Sequence, residues 1–532
     1  MSRDLYWNPS QAPTKQEQRI LKRAHKHRKL FVFLWEYRHE LFDQSFQDEL
    51  ITAYRNTGAG KPPHPPAQML MVVLLQAYMG VSDHEAVELT ADSRRWQMIL
   101  GRFGDDEPML SASTLYDFRM RMIASGMGQR LLERSVALAR EMGGFSDRAL
   151  RAALDSSPLV GAGRVEDTFN LLAHAARKVL EAAAELCSLT VETVIEQIGL
   201  TLFDSEHSLK ATLDINWSDR DARHIALQRL HSELELLQDW LQTHNAEACE
   251  TPPLQGTLET LKRLQEQDLE PDPEGGGMRI REGVAKNRQV SISDPAMRHG
   301  RKTQKKRFDG YKRHILFDLD EKLILSVDVA PGNEPDHFRL VSLVEQALKQ
   351  GRQLESLHID RGYLPAAADL AKEPQGPEII CKPPGFRKLP GYFNKRDFII
   401  DLEAQEVVCP NGESMTIKRL GETVRFPLEK CEVCPLSKQC RLGSTSPRSI
   451  KIHKDEDLHQ DLIARQHFPK GREELRERVG VEHGLARISQ RQGNNARYRG
   501  QVKNVFHLQI QAGLSNLQRA HKLPIELAQL AA

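Results

Sequence analysis

Two stretches of the chain share one pattern, in which apolar and polar residues alternate and the run stops at an aspartate. In Leu354-Glu-Ser-Leu-His-Ile-Asp360-Arg-Gly-Tyr363 the alternation leads into Asp360 and a glycine turn. In the other, Leu150, Ala152 and Leu154 alternate with Arg151 and Ala153, and the run stops at Asp155, before Ser156-Ser-Pro158. A period of two predicts strands, and each strand delivers its carboxylate to a C-terminal end, where side chains leave the core and meet a cleft. Between them, His314–Asp318 and Leu323–Val329 predict a hairpin turning through Asp320-Glu-Lys322. Pro331-Gly-Asn-Glu-Pro335 breaks the chain, and Asp336 caps a helix with Phe338, Val341, Val344 and Leu348 at helical spacing, ended by Gly351. A short helix from Pro365 to Lys372 leads to a strand at Glu378–Lys382. With the Asp155 strand first, the order is β-β-β-α-β-α-β.

Elsewhere the pattern is helical. Residues 15–31 are basic and polar, a helix is expected from about Leu30 to Tyr54, and Gly58–Pro66 is a linker whose Gly60-Lys61 lacks P-loop spacing and is followed by Pro62. Met69–Met79 is apolar on nearly every side, as in a buried bundle helix. After Asp83–Ser93 comes Ser111–Met122, with Ser113 expected as N-cap and Gly126 as stop. This is either a helix-turn-helix carrying Tyr116, Arg119 and Arg121 to DNA, or ordinary helix packing with a solvated arginine face. Leu171–Leu189, Val191–Phe203 and Ala222–His244 are helical, and Glu270–Gly277 is a flexible joint. A late helix, Gly471–Gln492, aligns Val479, Glu482, Ala486 and Ser489 on one face, with Arg476, Arg487 and Arg491 nearby.

At 532 residues the chain is long enough for about three domains. It is 40% hydrophobic and 28% charged, its longest apolar run (Met69–Leu75) is too short to span a bilayer, and Met1–Pro9 has no secretory core, so a cytoplasmic protein without membrane partners is expected. The net charge of +1 conceals blocks of opposite sign. Residues 298–313 hold eight Lys/Arg and one Asp, a net of +7, including Arg301, Lys302, Lys305, Lys306 and Lys312. Residues 470–503 hold nine Lys/Arg and four Glu, a net of +5, including Arg487, Arg491, Arg497, Arg499 and Lys503. Both blocks suit phosphate contact. Residues 166–274 hold eight Lys/Arg against twenty-two Asp/Glu, a net of −14, which argues against DNA along that segment.

Cys409, Cys431, Cys434 and Cys440, two of them at CxxC spacing, lie within about thirty residues. Four thiolates suit closed tetrahedral Zn²⁺. Reduced thiols and, without a thioredoxin-like βαβ around it, a redox pair are the alternatives. Cys187, Cys249 and Cys381 lie apart and read as core or surface thiols.

The element order is that of a ribonuclease-H-like mixed α/β sheet, in which the first and fourth strands are neighbours, about 5 Å apart in backbone. Asp155 and Asp360 would then face one cleft, where paired carboxylates raise a pKa or recruit Mg²⁺ or Mn²⁺; the plain alternative is that both are strand-end caps or turn formers. Ala153-Leu-Asp-Ser-Ser-Pro-Leu-Val-Gly161, the basic run into Gly310-Tyr-Lys-Arg-His314, Pro331-Gly-Asn-Glu-Pro-Asp336, His358-Ile-Asp-Arg-Gly-Tyr363 and Arg478-Val-Gly-Val-Glu482 occur in the order seen in DDE transposases of bacterial insertion sequences, which the chain resembles over most of its length.

The resemblance implies a catalytic, metal-binding triad of Asp155, Asp360 and Glu482 holding two Mg²⁺ (or Mn²⁺) ions, with Arg487 near the scissile phosphate. Glu473, Glu474 and Glu477 are the substitutes for the third position. It further implies transposon-end and target DNA as partners, a homodimer or higher oligomer on DNA, and nucleoid association when acting. The expected layout is a helical N-terminal domain (1–145), a catalytic domain (146–165, 278–384 and 470–520), an acidic helical insertion (166–277) and a Cys-rich insertion (385–469). A structure-selective nuclease of the same fold, or an inactive transposase-derived DNA-binding regulator, are the rival functions.

Overall fold

The computed structural model describes residues 5–27, 29–54, 63–203, 208–244, 246–303, 305–349, 351–385, 389–443, 445–523 and 526; residues 58–62 of the expected linker lie outside them. It is a mixed α/β structure with a helical N-terminal region. Its main sheet has six strands: β1 (Leu150–Val160), β2 (Arg298–Arg301), β3 (Arg307–Asp318), β4 (Ile324–Pro331), β5 (Leu354–Ile359) and β6 (Glu378–Cys381). The order across it is β2-β3-β1-β5-β6, and β4 follows β2 along the outer edge of β3. β1 runs antiparallel to β3, from Ala152 opposite Asp318 to Val160 opposite Gly310, and parallel to β5, ending at Leu154 opposite Ile359. The first and fourth strands of the expected order are therefore neighbours, and β2 is one strand more than the pattern predicted.

β1 is longer than the alternation suggested, so Asp155 lies within the strand rather than at its end. Pro158 looked like a stop because it has no N–H to donate. The Gly161 N–H donates to Asp309 O on the β3 side and the Val160 N–H to Asn494 O on the other. By alternation, the donor missing at Pro158 would face the side where β5 has already ended.

Along the strands the period of two sorts side chains between two cores. Leu150, Ala152, Leu154, Leu316 and Leu325 join one that also contains the N-terminal helices, whereas Ala153, Leu159, Ile315, Phe317, Val327 and Val329 join the other; the register shift opposite Leu325 puts it and Val327, of one parity, on different sides. Central among the N-terminal helices is α1 (Pro66–Met79), buried nearly throughout, as its all-round apolar sequence predicted. The helix expected over Leu30–Tyr54 is broken into Lys29–Glu36, Arg38–Leu41 and Gln44–Thr52, the last begun by Asp43, whose side chain accepts from the Phe46 N–H. α2 (Ala112–Ala124) starts two residues earlier than predicted, because Ser111 rather than Ser113 caps it by accepting from the Thr114 N–H.

The segment after β1 has a core of its own, built on α3 (Thr168–Cys187), α4 (Arg220–His244) and α5 (Leu254–Asp268). The Cys-rich segment forms a small separate core of Phe398, Val407, Ile417, Val424, Phe426, Ile450 and Ile452, against which Cys409, Cys431 and Cys440 pack. The late helix is interrupted at Arg478, giving α6 (Pro469–Glu477) and α7 (Val479–Gln492). The final helix, α8 (Gln501–Ala520), feeds both cores: Phe506, Ile510, Leu514 and Leu517 into one, Leu508 and Ala512 into the other. Asn516 also closes the β4 edge, accepting from the Ile324 N–H at 2.9 Å and donating to Ile324 O at 2.8 Å.

Three arginines expected on DNA are instead spent on this packing. Arg119, 3% exposed, donates to Asp83 at 2.8 Å and Gln76 at 3.2 Å and lies over the Tyr498 ring. It belongs to the inner face of α2, so the helix turns its arginine away from solvent. Arg497 bonds to Val81 O, joining the C-terminal basic stretch to the N-terminal helices. Arg491 donates to the Gln518 side chain at 2.6 Å and Gln511 O at 3.0 Å, which pins α7 to α8. Removing one partner of a buried ion pair strands the other charge, so Arg119→Ala should destabilise the protein by about 3 kcal/mol, whereas Arg121→Ala, on the exposed side of α2, should cost under about 1 kcal/mol. Denaturant unfolding of the two variants checks this.

Candidate active site

The parallel register that ends at Leu154 and Ile359 makes Asp155 and Asp360 the next residues on adjacent strands. Neighbouring strands are about 4.8 Å apart, so the two carboxylates leave the sheet side by side. Asp155 has the parity of Ala153 and Leu159, which face the core containing α7. α7 packs there through Val481, Leu485 and Ile488, and this sets Glu482 at the edge of the same face. Gly480 and Gly484 allow the approach: a methyl on Gly484 would stand 3.1 Å from Ile315 and 3.2 Å from Phe317.

The result is an open cleft of about 550 Å³ lined by Asp155, Asp360 and Glu482 together with Arg301, Lys302, Lys312, Asp336 and Arg478. Burial holds the Asp155 carboxyl above the ordinary aspartate range; Arg478 and the Ser156 N–H, which donates to Oδ1 at 2.8 Å, work against that, and the charges of Asp360 and Glu482 add to it.

Arg478 was not among the residues singled out from sequence. Its guanidinium donates to Asp155 Oδ2 at 3.0 Å and to Glu482 Oε1 at 2.9 Å, bridging two of the three carboxylates. Helical geometry explains why it, and not Arg487, has this position. Arg478 is four residues before Glu482 and shares its face, whereas Arg487, five residues after, is turned about 140° away. Arg487 lines a different cavity, with Arg151, Asp320 and Glu477. Of the alternative third carboxylates, Glu473, Glu474 and Glu477 line another cavity again, behind β5 and β6.

Arg313 is 1% exposed and has neutral partners: Ser157 Oγ at 2.8 Å, Ser489 Oγ at 2.6 Å, Gln492 Oε1 at 2.8 Å and Gly493 O at 3.0 Å. It clamps the C-terminal end of α7, where the helix dipole favours a cation, to β1. Burial lowers its pKa to about 10. Below the cleft, the buried His314 has Nδ1 2.6 Å from the Tyr363 hydroxyl, and burial pushes its pKa down to about 3. The remaining predicted cations are dispersed. Lys305 and Lys306 are exposed in the β2–β3 loop, Arg121 lies over the Tyr54 ring, and Lys503 lies over the Tyr116 ring. Arg499 lines a cavity shared with Arg164 and with Lys178 of the acidic segment.

An all-oxygen set of carboxylates has the chemistry that Mg²⁺ or Mn²⁺ selects. As the side chains stand, Arg478 holds Asp155 and Glu482, and among the described residues no group of three or more His, Cys, Asp or Glu is arranged to hold a metal ion. Near the Cys-rich core, burial raises the Cys440 thiol, and the neighbouring Cys431, Cys409 and Cys434 push the same way, so the four lie close enough to feel one another. Cys187 and Cys249 are partly exposed and Cys381 is buried, and the seven cysteines are not joined in disulfides.

No curated protein and no solved structure matches the chain. Three family matches fall along it in order: "Transposase domain (DUF772)" over residues 19–121, "Transposase DDE domain" over 283–382, and a second family described as "Transposase DDE domain" over 408–521. The first covers the α1 and α2 region, the second β2 to β6, and the third the Cys-rich segment with α7, Glu482 and α8. The chain belongs to the DDE transposases.

Proposed function

We propose that this transposase has a ribonuclease-H-like catalytic fold, binds the terminal inverted repeats of its own insertion sequence, and cleaves and joins DNA with Asp155, Asp360 and Glu482 as its catalytic carboxylates. The observation that carries the reading is the meeting of these three residues, drawn from positions more than three hundred apart, on one cleft walled by Arg301, Lys302 and Lys312. A row of cations beside a carboxylate cluster suits a phosphodiester backbone, which must be held by its charge while its phosphorus is exposed to an in-line nucleophile. Asp155, Asp360 and Glu482 would hold divalent ions, which when bound stabilise charge on the attacking and leaving oxygens. The chain's own contribution is placement. β1 and β5 fix the two aspartates, α7 brings Glu482 over them, and Arg478 neutralises the cluster in the absence of metal and is positioned to take a phosphate oxygen once the carboxylates are otherwise engaged. The DNA flanks would extend over the β2–β3 loop with Lys305 and Lys306, past Arg499 and Lys503, and along the exposed side of α2 at Arg121. A homodimer or larger assembly, needed to bring two ends together, is part of the same reading.

Changing carboxylate to amide keeps size and removes charge, so Asp155→Asn, Asp360→Asn and Glu482→Gln should each lower Mg²⁺-dependent cleavage of an inverted-repeat substrate by roughly a hundredfold or more, with end binding little changed. Because burial holds the folded-state pKa of Asp155 above its unfolded value, its charge opposes folding at every pH above that range. Asp155→Asn should therefore unfold at pH 7 no more readily than the parent, so that lost cleavage is not lost structure. Near-normal cleavage by any of the three variants removes that residue from the site.

Arg478 and Arg487 separate by the same assay. Arg478→Gln should reduce cleavage by roughly tenfold or more, since a charge-assisted phosphate contact contributes about 1.5–3 kcal/mol. Arg487→Gln should leave the rate within about twofold; the reverse ranking would reinstate Arg487.

The cysteine cluster is proposed as a structural zinc site closed by Cys409, Cys431, Cys434 and Cys440. Four thiolates match the ion's preference, and the small core beside them gains a cross-link. Anaerobically prepared protein should contain about one zinc per chain, and Cys431→Ser with Cys434→Ser should lose it and open the segment to proteolysis. Metal analysis finding no zinc would leave them as reduced thiols.

A further inference from the structure

A fourth carboxylate lines the cleft. Asp336 opens a one-turn 3-10 helix, Asp336–Arg339, after Pro335, and the sequence pattern accounts for it only as a helix cap. In the structure its two oxygens are directed to different elements. Oδ1 accepts from Lys312 Nζ at 2.8 Å, and the same ammonium donates to Glu334 O at 2.8 Å. Oδ2 stands 3.5 Å from the hydroxyl of Ser156, the residue whose N–H donates to Asp155.

A second observation comes from Gly362, two residues after Asp360. Its backbone is not in the left-handed region, so conformation does not require glycine there. A methyl on Gly362, however, would stand 2.9 Å from Asp336 Oδ2 and 3.4 Å from its Cβ. The turn leaving Asp360 is packed directly against the Asp336 carboxylate. Asp336 thus touches the strand carrying Asp155, the turn following Asp360, and the Lys312 ammonium that reaches it from β3.

We propose that Asp336 is a positioning residue of the carboxylate cleft, holding the Lys312 ammonium away from Asp155 and Asp360 so that it does not compete with divalent cations for them. The inference rests on the reading of Asp155 and Asp360 as metal-holding carboxylates. Two effects act together. Freed of Asp336, a cation on a flexible four-carbon stem can swing to the nearest carboxylates, and a positive charge within several ångströms of the metal seat weakens cation binding by an amount that a partly buried site does not screen away.

The test is direct Mn²⁺ binding to the full-length protein without DNA, followed by electron paramagnetic resonance or calorimetry. Asp336→Asn should raise the Mn²⁺ dissociation constant by roughly tenfold, with little change in thermal midpoint. Adding Lys312→Gln to that variant should return the constant to within about threefold of the parent, a recovery that a merely structural role for Asp336 does not produce. Gly362→Ala, which displaces the carboxylate without removing it, should weaken Mn²⁺ binding in the same direction. Parental Mn²⁺ affinity in both Asp336→Asn and Gly362→Ala, or no recovery in the double variant, overturns the proposal. Asp155→Asn and Asp360→Asn serve as the control: if they leave Mn²⁺ binding unchanged, it is the catalytic-site reading itself that fails.

Discussion

The parallel pairing of β1 with β5 is the constraint on which the cleft depends. Because side chains alternate faces, a slip of one residue would send Asp155 or Asp360 through the sheet to the opposite core. The register is held from both sides: Leu150, Ala152 and Leu154 lock into the core of the N-terminal helices with Leu357 and Ile359, and Ala153 locks into the other. A central strand buried on both faces has little freedom to shift, so the carboxylate pair inherits the precision of a hydrophobic core.

Glu482 reaches the pair by a different kind of constraint. A helix face is less discriminating than a strand register, and two features supply what the apolar stripe of α7 does not. Gly480 and Gly484 let the helix settle close to Phe317 and Ile315, and Arg313 fastens its far end to β1 through neutral acceptors and the exposed carbonyl of Gly493. With no carboxylate partner among the described residues, that buried guanidinium depends on the helix terminus and on geometry, so it holds only when α7 is in place.

How much of this was legible in the sequence follows from the range of each interaction. Strand alternation and turn residues are local, and they located β1, the hairpin, β5 and β6 and the two aspartates. The extension of β1 through Pro158 was not legible, because it depends on β5 ending first. The second break within Lys29–Thr52 reflects Asp43 capping a new helix inside a run whose apolar residues read as one continuous helix. Arg491 and Arg497 counted toward a basic block and Arg119 toward an arginine face on its helix, yet charge along a chain does not say which side faces solvent; Gln518, Val81 and Asp83 decide that from distant positions. Arg478 was within reach, since a cation four residues before a carboxylate on a helix shares its face. Asp336 was hidden because a helix cap already explained it.

The last helix has a consequence for the order of events during synthesis. α8 completes both hydrophobic cores and, through Asn516, covers the free edge of β4. Asp155 leaves the ribosome early, but the wall that faces it across the cleft is supplied by α7, more than three hundred residues later. A nascent chain therefore carries its two aspartates before Glu482 can join them. Without α8 the chain has an exposed strand edge and two open cores, a state inclined to aggregate. The meeting of the three carboxylates thus waits on the synthesis of α7 and on its packing against α8.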